Sequence, residues 1–460
     1  MRLTWSALAA VMLVPAGSAQ TLAEALTRAY ETNPRLEASR LGVEAAAEGF
    51  AQVRAGRLPS VDVTSSYGLR RSWTLQPGFF GGATSNAINT DPQSLGVQAV
   101  QPILTGGRVA GQAQIAAGAA NAARQGLRAT EHSVLVQVIA AYVDVLRDQR
   151  ALEIRRTNVE RLTQQRTAAQ DRFEVGEITR TDVAQAEARL AGAEAQLAGA
   201  EAALATSRAQ YAGLVGVEPA GLTAPPPPPP LPETLEQAIE QALLINPEYL
   251  EAKAAERQAR GQVQVQRSSL LPQLSIVARY DRGIDLNQRN TENETGSAVA
   301  QIAIPLFEGG LARSRTRQAR VNLERSFSQT EEVRRGVVRA VTASWNDHQA
   351  VQRVIAASRE QVRAADLALD GVIQEQQVGL RTTLDVLDAQ QEAAEAQLAL
   401  VRAERDAYVA AHLVLQAVGQ LQPQDLGINV PLYDPNQSRR AVRHTLFGTH
   451  SVGPLSRPDR

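Results

Sequence analysis

Leu58-Pro59-Ser60-Val61-Asp62-Val63-Thr64-Ser65-Ser66-Tyr67 and Leu271-Pro272-Gln273-Leu274-Ser275-Ile276-Val277-Ala278-Arg279-Tyr280 are two versions of one passage, 213 residues apart. In each, a helical pattern stops at Leu-Pro and a period of two begins. Val61, Val63 and Tyr67 share one face and Asp62, Thr64 and Ser66 the other; Leu274, Ile276, Ala278 and Tyr280 keep that register opposite Ser275 and Arg279. The repeat extends outward at the same shift. Residues 21–67 align without a gap to 234–280, with Thr21-Leu22 returning as Thr234-Leu235 and Asn33-Pro34 as Asn246-Pro247. Farther on the shift is 203: Pro102 matches Pro305, Gly106-Gly107 matches Gly309-Gly310, and Asp182-Val183 matches Asp385-Val386. The change in shift places one indel between Tyr67 and Leu95. A period near 200 residues is too long for a solenoid unit, so the chain is a duplicated half.

Composition narrows the class. Aromatic residues are 4% of 460, Met is nearly absent, and Ala, Gln, Glu, Arg and Leu dominate long stretches, as in long helices packed through small side chains. A net charge of −1 gives no nucleic-acid footprint. The absence of Cys excludes disulfides, a lipid-modified N-terminal Cys and thiolate metal sites. His132, His348, His412, His444 and His450 are scattered without metal-ligand spacing, and no nucleophile with a neighbouring base has a local signature, so no cofactor and no enzyme activity are expected. Residues 1–19 read as a secretory signal: Arg2, an apolar core around residues 7–14, and Gly17-Ser18-Ala19 for cleavage. Beyond them no run of 18 apolar residues occurs, so a membrane crossing has to be a closed β-barrel.

The expected organisation is a first repeat over 20–224, a Pro-rich linker at 225–233, a second repeat over 234–421, and a C-terminal tail over 422–460 that is loosely ordered beyond Pro431. Each repeat opens with two helices separated by Asn-Pro, since Pro suits a first helical turn. A β-hairpin follows, at 60–102 and again at 273–305, with Gly/Asn/Pro-rich loops expected at 72–92 and 283–296. Its strands have the length that crosses a bilayer on a tilt, although a small soluble sheet has the same alternation. A long antiparallel helical hairpin closes each repeat, at 106–216 and 309–419, its first helix about 65 residues or roughly 100 Å long. The fold class is therefore mainly α with a small β part. Four strands cannot close a barrel, and open edges in lipid leave backbone groups unpaired. Three copies would supply twelve strands and a near six-fold helical wall.

In this order and spacing, and by occurring twice, several motifs resemble the TolC family of outer-membrane efflux and secretion channels. They are Asn33-Pro34 and Asn246-Pro247, Leu58-Pro59 and Leu271-Pro272, Pro305-Leu306-Phe307-Glu308-Gly309-Gly310, and the turn from Val378-Gly379-Leu380-Arg381 through Asp385 to Asp388-Ala389. The resemblance spans roughly residues 21–421. It implies a homotrimer with a twelve-stranded barrel in outer-membrane lipid above an α-helical periplasmic tunnel. It also implies a periplasmic adaptor and an inner-membrane pump as partners, with type I protein secretion or multidrug efflux as the task. A periplasmic adaptor and a structural coiled-coil protein are the competing readings; the adaptor fold has one hairpin flanked by β-rich domains.

The turns carry the candidate site. Gly176 and Gly379 can take φ > 0 and reverse the chain. Thr179 with Asp182, and Thr382 with Asp385, have N-cap spacing, so both aspartates can simply start the returning helices. Asp388 lies three residues beyond Asp385 on the same helical face and is not needed for capping. Around a three-fold axis Asp385 and Asp388 become acidic rings that attract cations. The resemblance places these rings at the periplasmic entrance. It pairs Arg381 with Thr181 and Asp182 of a neighbouring helical pair as closing contacts, and makes the Gly176 and Gly379 tips the adaptor-docking surface. Gln376-Gln377 stands where the family often carries a Tyr.

Overall fold

A computed structural model describes residues 20–77, 81, 83–428, 433–442 and 449. The signal segment 1–19, His444 and His450 lie outside the described residues. The first repeat runs α1 (Leu22–Thr32), α2 (Pro34–Ala55), β1 (Ser60–Tyr67), β2 (Arg70–Pro77), β3 (Ala83–Thr90), β4 (Gln93–Leu104), α3 (Arg108–Glu174) and α4 (Arg180–Val215). The second runs α5 (Leu235–Ile245), α6 (Pro247–Ser268), β5 (Gln273–Ile284), β6 (Glu292–Ala303), α7 (Leu311–Gln377) and α8 (Thr383–Val418), followed by α9 (Pro435–Val442). Corresponding helices have equal lengths of 11, 22, 67 and 36 residues. The chain divides into two compact units, one with the sheet and one with the helical turns.

The sheet unit comprises 41–124, 251–332 and 434–460. Its main sheet is antiparallel in the order β1-β4-β5-β6, so β4 of one repeat pairs with β5 of the other, from Gln93↔Ile284 to Leu104↔Leu274. The pleat sorts side chains by polarity. Val61, Val63, Tyr67, Ile276, Tyr280 and Ile302 lie on one face, all exposed, with no protein layer over them. The opposite face aligns Asp62, Gln98, Arg279 and Ser297 in one row, and Arg279 Nη2 donates to Gln98 Oε1 at 2.7 Å. Gly96 makes room for the next row: a Cβ there would stand 2.8 Å from Asp281 Oδ1 and 3.0 Å from Thr64 Oγ1.

The stretch 72–92, read above as loop, is mostly a second antiparallel pair, β2 with β3, in register from Arg70↔Thr90 to Pro77↔Ala83. The indel between the repeats therefore encodes a strand extension. β2 alternates only at Trp73 and Leu75 and β3 is mostly polar, so a short signal is lost among the Gly, Asn and Pro residues that read as loop. Half of 283–296 is likewise strand, because only 285–291 separates β5 from β6.

The helical unit comprises residues up to 40, 125–250 and 333–433. Leu22, Ala25, Leu26 and Ala29 of α1 bury one stripe against Val134, Leu135, Val138, Ile139 and Tyr142 of α3 and Tyr211 and Val215 of α4. The second repeat repeats this junction position for position: Ala238 and Ala242 of α5 meet Val337 and Val341 of α7 and Val414 and Val418 of α8. α3 holds the most apolar stretch among the described helices, more than half of it buried. That apolar run, around Val134 and Val138, is core here and is covered by protein.

The Asn-Pro motif is a junction as well as a punctuation mark. Asn246 Oδ1 accepts from Glu248 N at 2.9 Å, starting α6, while its Nδ2 donates to Ala417 O at 2.8 Å near the end of α8. Asn33 does the same with Arg35 N at 3.0 Å and Leu214 O at 3.4 Å. Each Asn thus satisfies an orphan donor of one helix and an orphan acceptor of another. Past α8 the chain stays in the helical core, where Leu421 and Ile428 are buried. In the sheet unit α9 packs as a helix, with Val442 buried, Arg439 over the Phe50 ring and Arg124 donating to Asn436.

Candidate functional site

Both turns close by the same backbone device. Gly176 and Gly379 have φ of 82° and 80°. Glu177 N donates to Arg172 O and Leu380 N to Glu375 O, each at 2.9 Å, the six-to-one bond of a glycine-terminated helix. Beside them Val175, Val378 and Leu380 are exposed apolar side chains.

The aspartates next to the turns are caps. Asp182 Oδ2 accepts from Thr179 N at 2.9 Å and from Thr179 Oγ1 at 2.8 Å. Asp385 Oδ2 accepts from Thr382 N and Oγ1, both at 2.8 Å, while Asp385 N donates to Thr382 Oγ1 at 3.2 Å. Donation from the threonine backbone and hydroxyl holds both carboxyls below the usual carboxylate range. Asp385 is therefore an anion even in mildly acidic solution. Arg381 does not reach Asp182 within the chain: its Nε donates to Glu375 Oε2 at 2.8 Å in its own turn, and Thr181 is exposed. The side chain at the Tyr-like position, Gln376, reaches Thr383 Oγ1 at 3.5 Å.

Asp388 has a partner that the sequence reading missed. Arg189 of α4 donates through Nη2 to Asp388 Oδ1 at 2.6 Å and through Nη1 to Gln391 Oε1 at 2.5 Å. Beside this bridge Leu387 is buried in a cluster of first-repeat residues, Leu162, Ala169, Val183, Ala186 and Ala193. A signal existed in the repeat alignment: Arg189 corresponds to Glu392 and Asp388 to Gln185, so both members of the pair break the duplication. Three more pairs join α3 to α8 farther from the turn. Arg155 donates to Glu395 at 2.9 Å, Arg150 to Glu404 at 3.3 Å, and Arg405 grips Asp144 with two bonds of 2.8 and 3.2 Å.

Among the described residues no group of His, Cys, Asp and Glu has metal-binding geometry. The functional surfaces are instead the apolar sheet face, the polar sheet face, and the charged ends of paired long helices. That combination suits a wall around an aqueous path, one side in lipid.

The profile of the outer membrane efflux protein family matches residues 25–217 and 238–420, one copy of the domain in each repeat. Outer membrane efflux protein BepC of Brucella suis is 34% identical over 443 residues, covering 95% of this chain and 94% of that protein. Outer membrane protein TolC of Vibrio cholerae is 28% identical over 418 residues, with 89% and 92% covered. Among solved structures, the Campylobacter jejuni CmeC outer membrane channel superposes with a TM-score of 0.77 at 15% identity, covering 92% of this chain and 89% of that one. These matches set aside the adaptor and coiled-coil readings. With lipid-facing strands and paired long helices in place, the chain belongs to the outer membrane efflux protein family: it is a TolC-like export channel of the outer membrane with a periplasmic helical part.

Proposed function

We propose that three copies of the chain close head to tail into a passive conduit for material leaving the periplasm. The observation that carries this reading is a seam made once within the chain and left open once. At the made seam, a Cβ on Gly106 would stand 2.7 Å from Ser268 O and 3.0 Å from Leu271 Cβ. At the equivalent place in the second repeat, Gly309 and Gly310 face open space, and Leu306 and Phe307 are each 88% exposed. The surface that would fill it, around Ala55 and Leu58 of the first repeat, is available only on another copy; Leu58 is exposed. The free edges β1 and β6 invite the same closure, because an open edge in lipid costs several kcal/mol per unpaired group.

The intrachain register gives the register between copies. Since Val97 pairs with Tyr280 and Ala99 with Ala278, the repeat shifts set Ala300 opposite Tyr67 and Ile302 opposite Ser65 of the next copy. Oxidation of Ser65→Cys/Ile302→Cys should give a covalently linked trimer in detergent, whereas the out-of-register pair Ser65→Cys/Val299→Cys should not. Equal cross-linking by both pairs, or a monomeric protein in mild detergent, would refute the assembly.

In this reading residues 1–19 are removed on export, and the two repeats, joined by the 225–233 linker, build the wall. Asp385 and Asp388 ring the periplasmic entrance and favour cations. Arg381, once turned from Glu375, reaches Thr181 and Asp182 of a neighbouring helical pair. The exposed apolar tips at Gly176 and Gly379 dock a periplasmic adaptor, which couples the conduit to an inner-membrane pump. Recording conductance across a planar bilayer with purified protein tests the conduit directly.

A further inference from the structure

We propose that Arg189 is the latch of the periplasmic entrance, joining the two repeats and masking Asp388 while the entrance is closed. The inference rests on the channel reading above and adds to it a gating residue. Other polar groups near the turns are satisfied within their own repeat: Arg381 by Glu375, Asp182 by Thr179, and Asp385 by Thr382. Among the described residues 171–193 and 374–394, the polar contacts that cross between repeats are those of Arg189, to Asp388 and Gln391. They sit beside the Leu387 knob, so the start of α8 is held to α4 by one apolar anchor and one charged strap.

The two ends of the ladder behind the latch differ in firmness. At the tip the Arg189 and Asp388 side chains are 40% and 56% exposed, whereas at the far end Arg405 and Asp144 are 24% and 17% exposed. An exposed, singly bonded pair is weak and easily exchanged for water; a part-buried, two-bond Arg–carboxylate pair is much firmer. The rungs at Glu395 and Glu404 lie between these ends along α8, each a single-bond pair with one well-exposed partner. The two ends are 17 residues apart on α8, or about 25 Å. Separation of α8 from the first repeat therefore starts at Arg189 and stops at Asp144–Arg405. Opening also changes the charge of the path, because Asp388 loses its counter-ion when Arg189 lets go. Release of the strap and appearance of a bare acidic ring are one event.

The test uses full-length protein in planar bilayers, with trimer recovery checked on gels for each variant. Arg189→Gln and Asp388→Asn should each raise occupancy of the high-conductance state by up to about fivefold per ion pair lost, and so by up to about a hundredfold for the three pairs of a trimer. Their effects on block by hexamminecobalt(III) should be opposite in sign: tighter in Arg189→Gln, where Asp388 is bared, and weaker in Asp388→Asn. The charge swap Arg189→Asp/Asp388→Arg should restore the low-conductance state. An Arg189→Gln channel with wild-type conductance and block, or a swap that behaves like the single variants, overturns the latch alone. A wild-type trimer that conducts nothing under any condition overturns the channel reading and the latch with it.

Discussion

Replacing Gly261 by Ala sets two effects of opposite sign against each other. Gly261 lies inside α6, where Ala is preferred over Gly by about 1 kcal/mol. The added Cβ would stand 2.8 Å from Gly111 O, 2.9 Å from Ile115 Cγ1 and 3.0 Å from Gln114 Cβ. Two of those three atoms cannot swing away: one is backbone of α3 and one is the first carbon of a side chain. The crossing must widen, and forced expansion of a packed contact costs about 1–3 kcal/mol. The clash wins, with a net loss of about 0–2 kcal/mol per chain after the helix gain. Gly192→Ala in α4 is the control, because nothing lies within 4 Å of its Cβ and it should gain about 0.5–1 kcal/mol. Thermal unfolding of detergent-extracted protein, followed by circular dichroism, gives both signs in one experiment. A rise in melting temperature for Gly261→Ala that matches Gly192→Ala would show that the α3–α6 crossing does not depend on a bare backbone.

Three other outcomes follow from the helical unit. Asn246→Ala removes the tie to Ala417 and the cap on α6 together, and should cost about 1–2 kcal/mol in the same melts, with Asn246→Asp recovering only the capping half. Burial holds the His132 imidazole down to about 4, with Arg128 adding to the effect. A base whose folded value is depressed contributes stability that is present above its unfolded value of about 6.5 and is lost as pH falls toward 4. Melting temperature should therefore fall through that window, and His132→Gln should flatten the fall; the neighbouring Glu131, raised by burial, acts in the opposite direction and nearer its own range. Asp385→Asn should weaken block of the conduit by multivalent cations while leaving the trimer intact, and unchanged block would remove Asp385 from the entrance.

What could be read from the sequence depended on how far each interaction reached along the chain. The duplication, the Leu-Pro ends of α2 and α6, the strand alternation after them and the capping boxes at Asp182 and Asp385 are local patterns, and they were legible. Asn33-Pro34 was legible as a helix stop, but its bond to Leu214 O spans 181 residues and no local pattern announces it. β2 and β3 escaped because β3 has almost no apolar phase to detect and β2 has only Trp73 and Leu75. Arg189 escaped for a different reason. On a helix as polar as α4 a single arginine reads as solvated surface, and only the approach of Asp388 and Gln391 from the other repeat gives it a role.

The two repeats agree where they do the same job and differ where their surroundings differ. Val134 and Val337, Val138 and Val341, and Val215 and Val418 fill equivalent core positions with the same residue. Gly111 and Gly261 meet at the seam inside the chain, but their repeat counterparts, Ser314 and Glu48, belong to the seam proposed between copies. A ring built from such chains has two kinds of seam in alternation, so its symmetry is three-fold however closely its helices imitate six. The divergence of Arg189 from Glu392, and of Asp388 from Gln185, puts a latch on one kind of contact only. A strictly six-fold wall would carry six latches; the proposed trimer carries three. At up to about 1 kcal/mol for each exposed pair, that lowers the cost of unfastening the entrance from about 6 to about 3 kcal/mol. The smaller figure is within the differential binding energy of a docking partner, about 1–3 kcal/mol for a typical coupling. Fewer latches leave more of that binding energy for opening the entrance. On this argument the duplication supplied the wall, and its later asymmetry made the wall one that a partner can open.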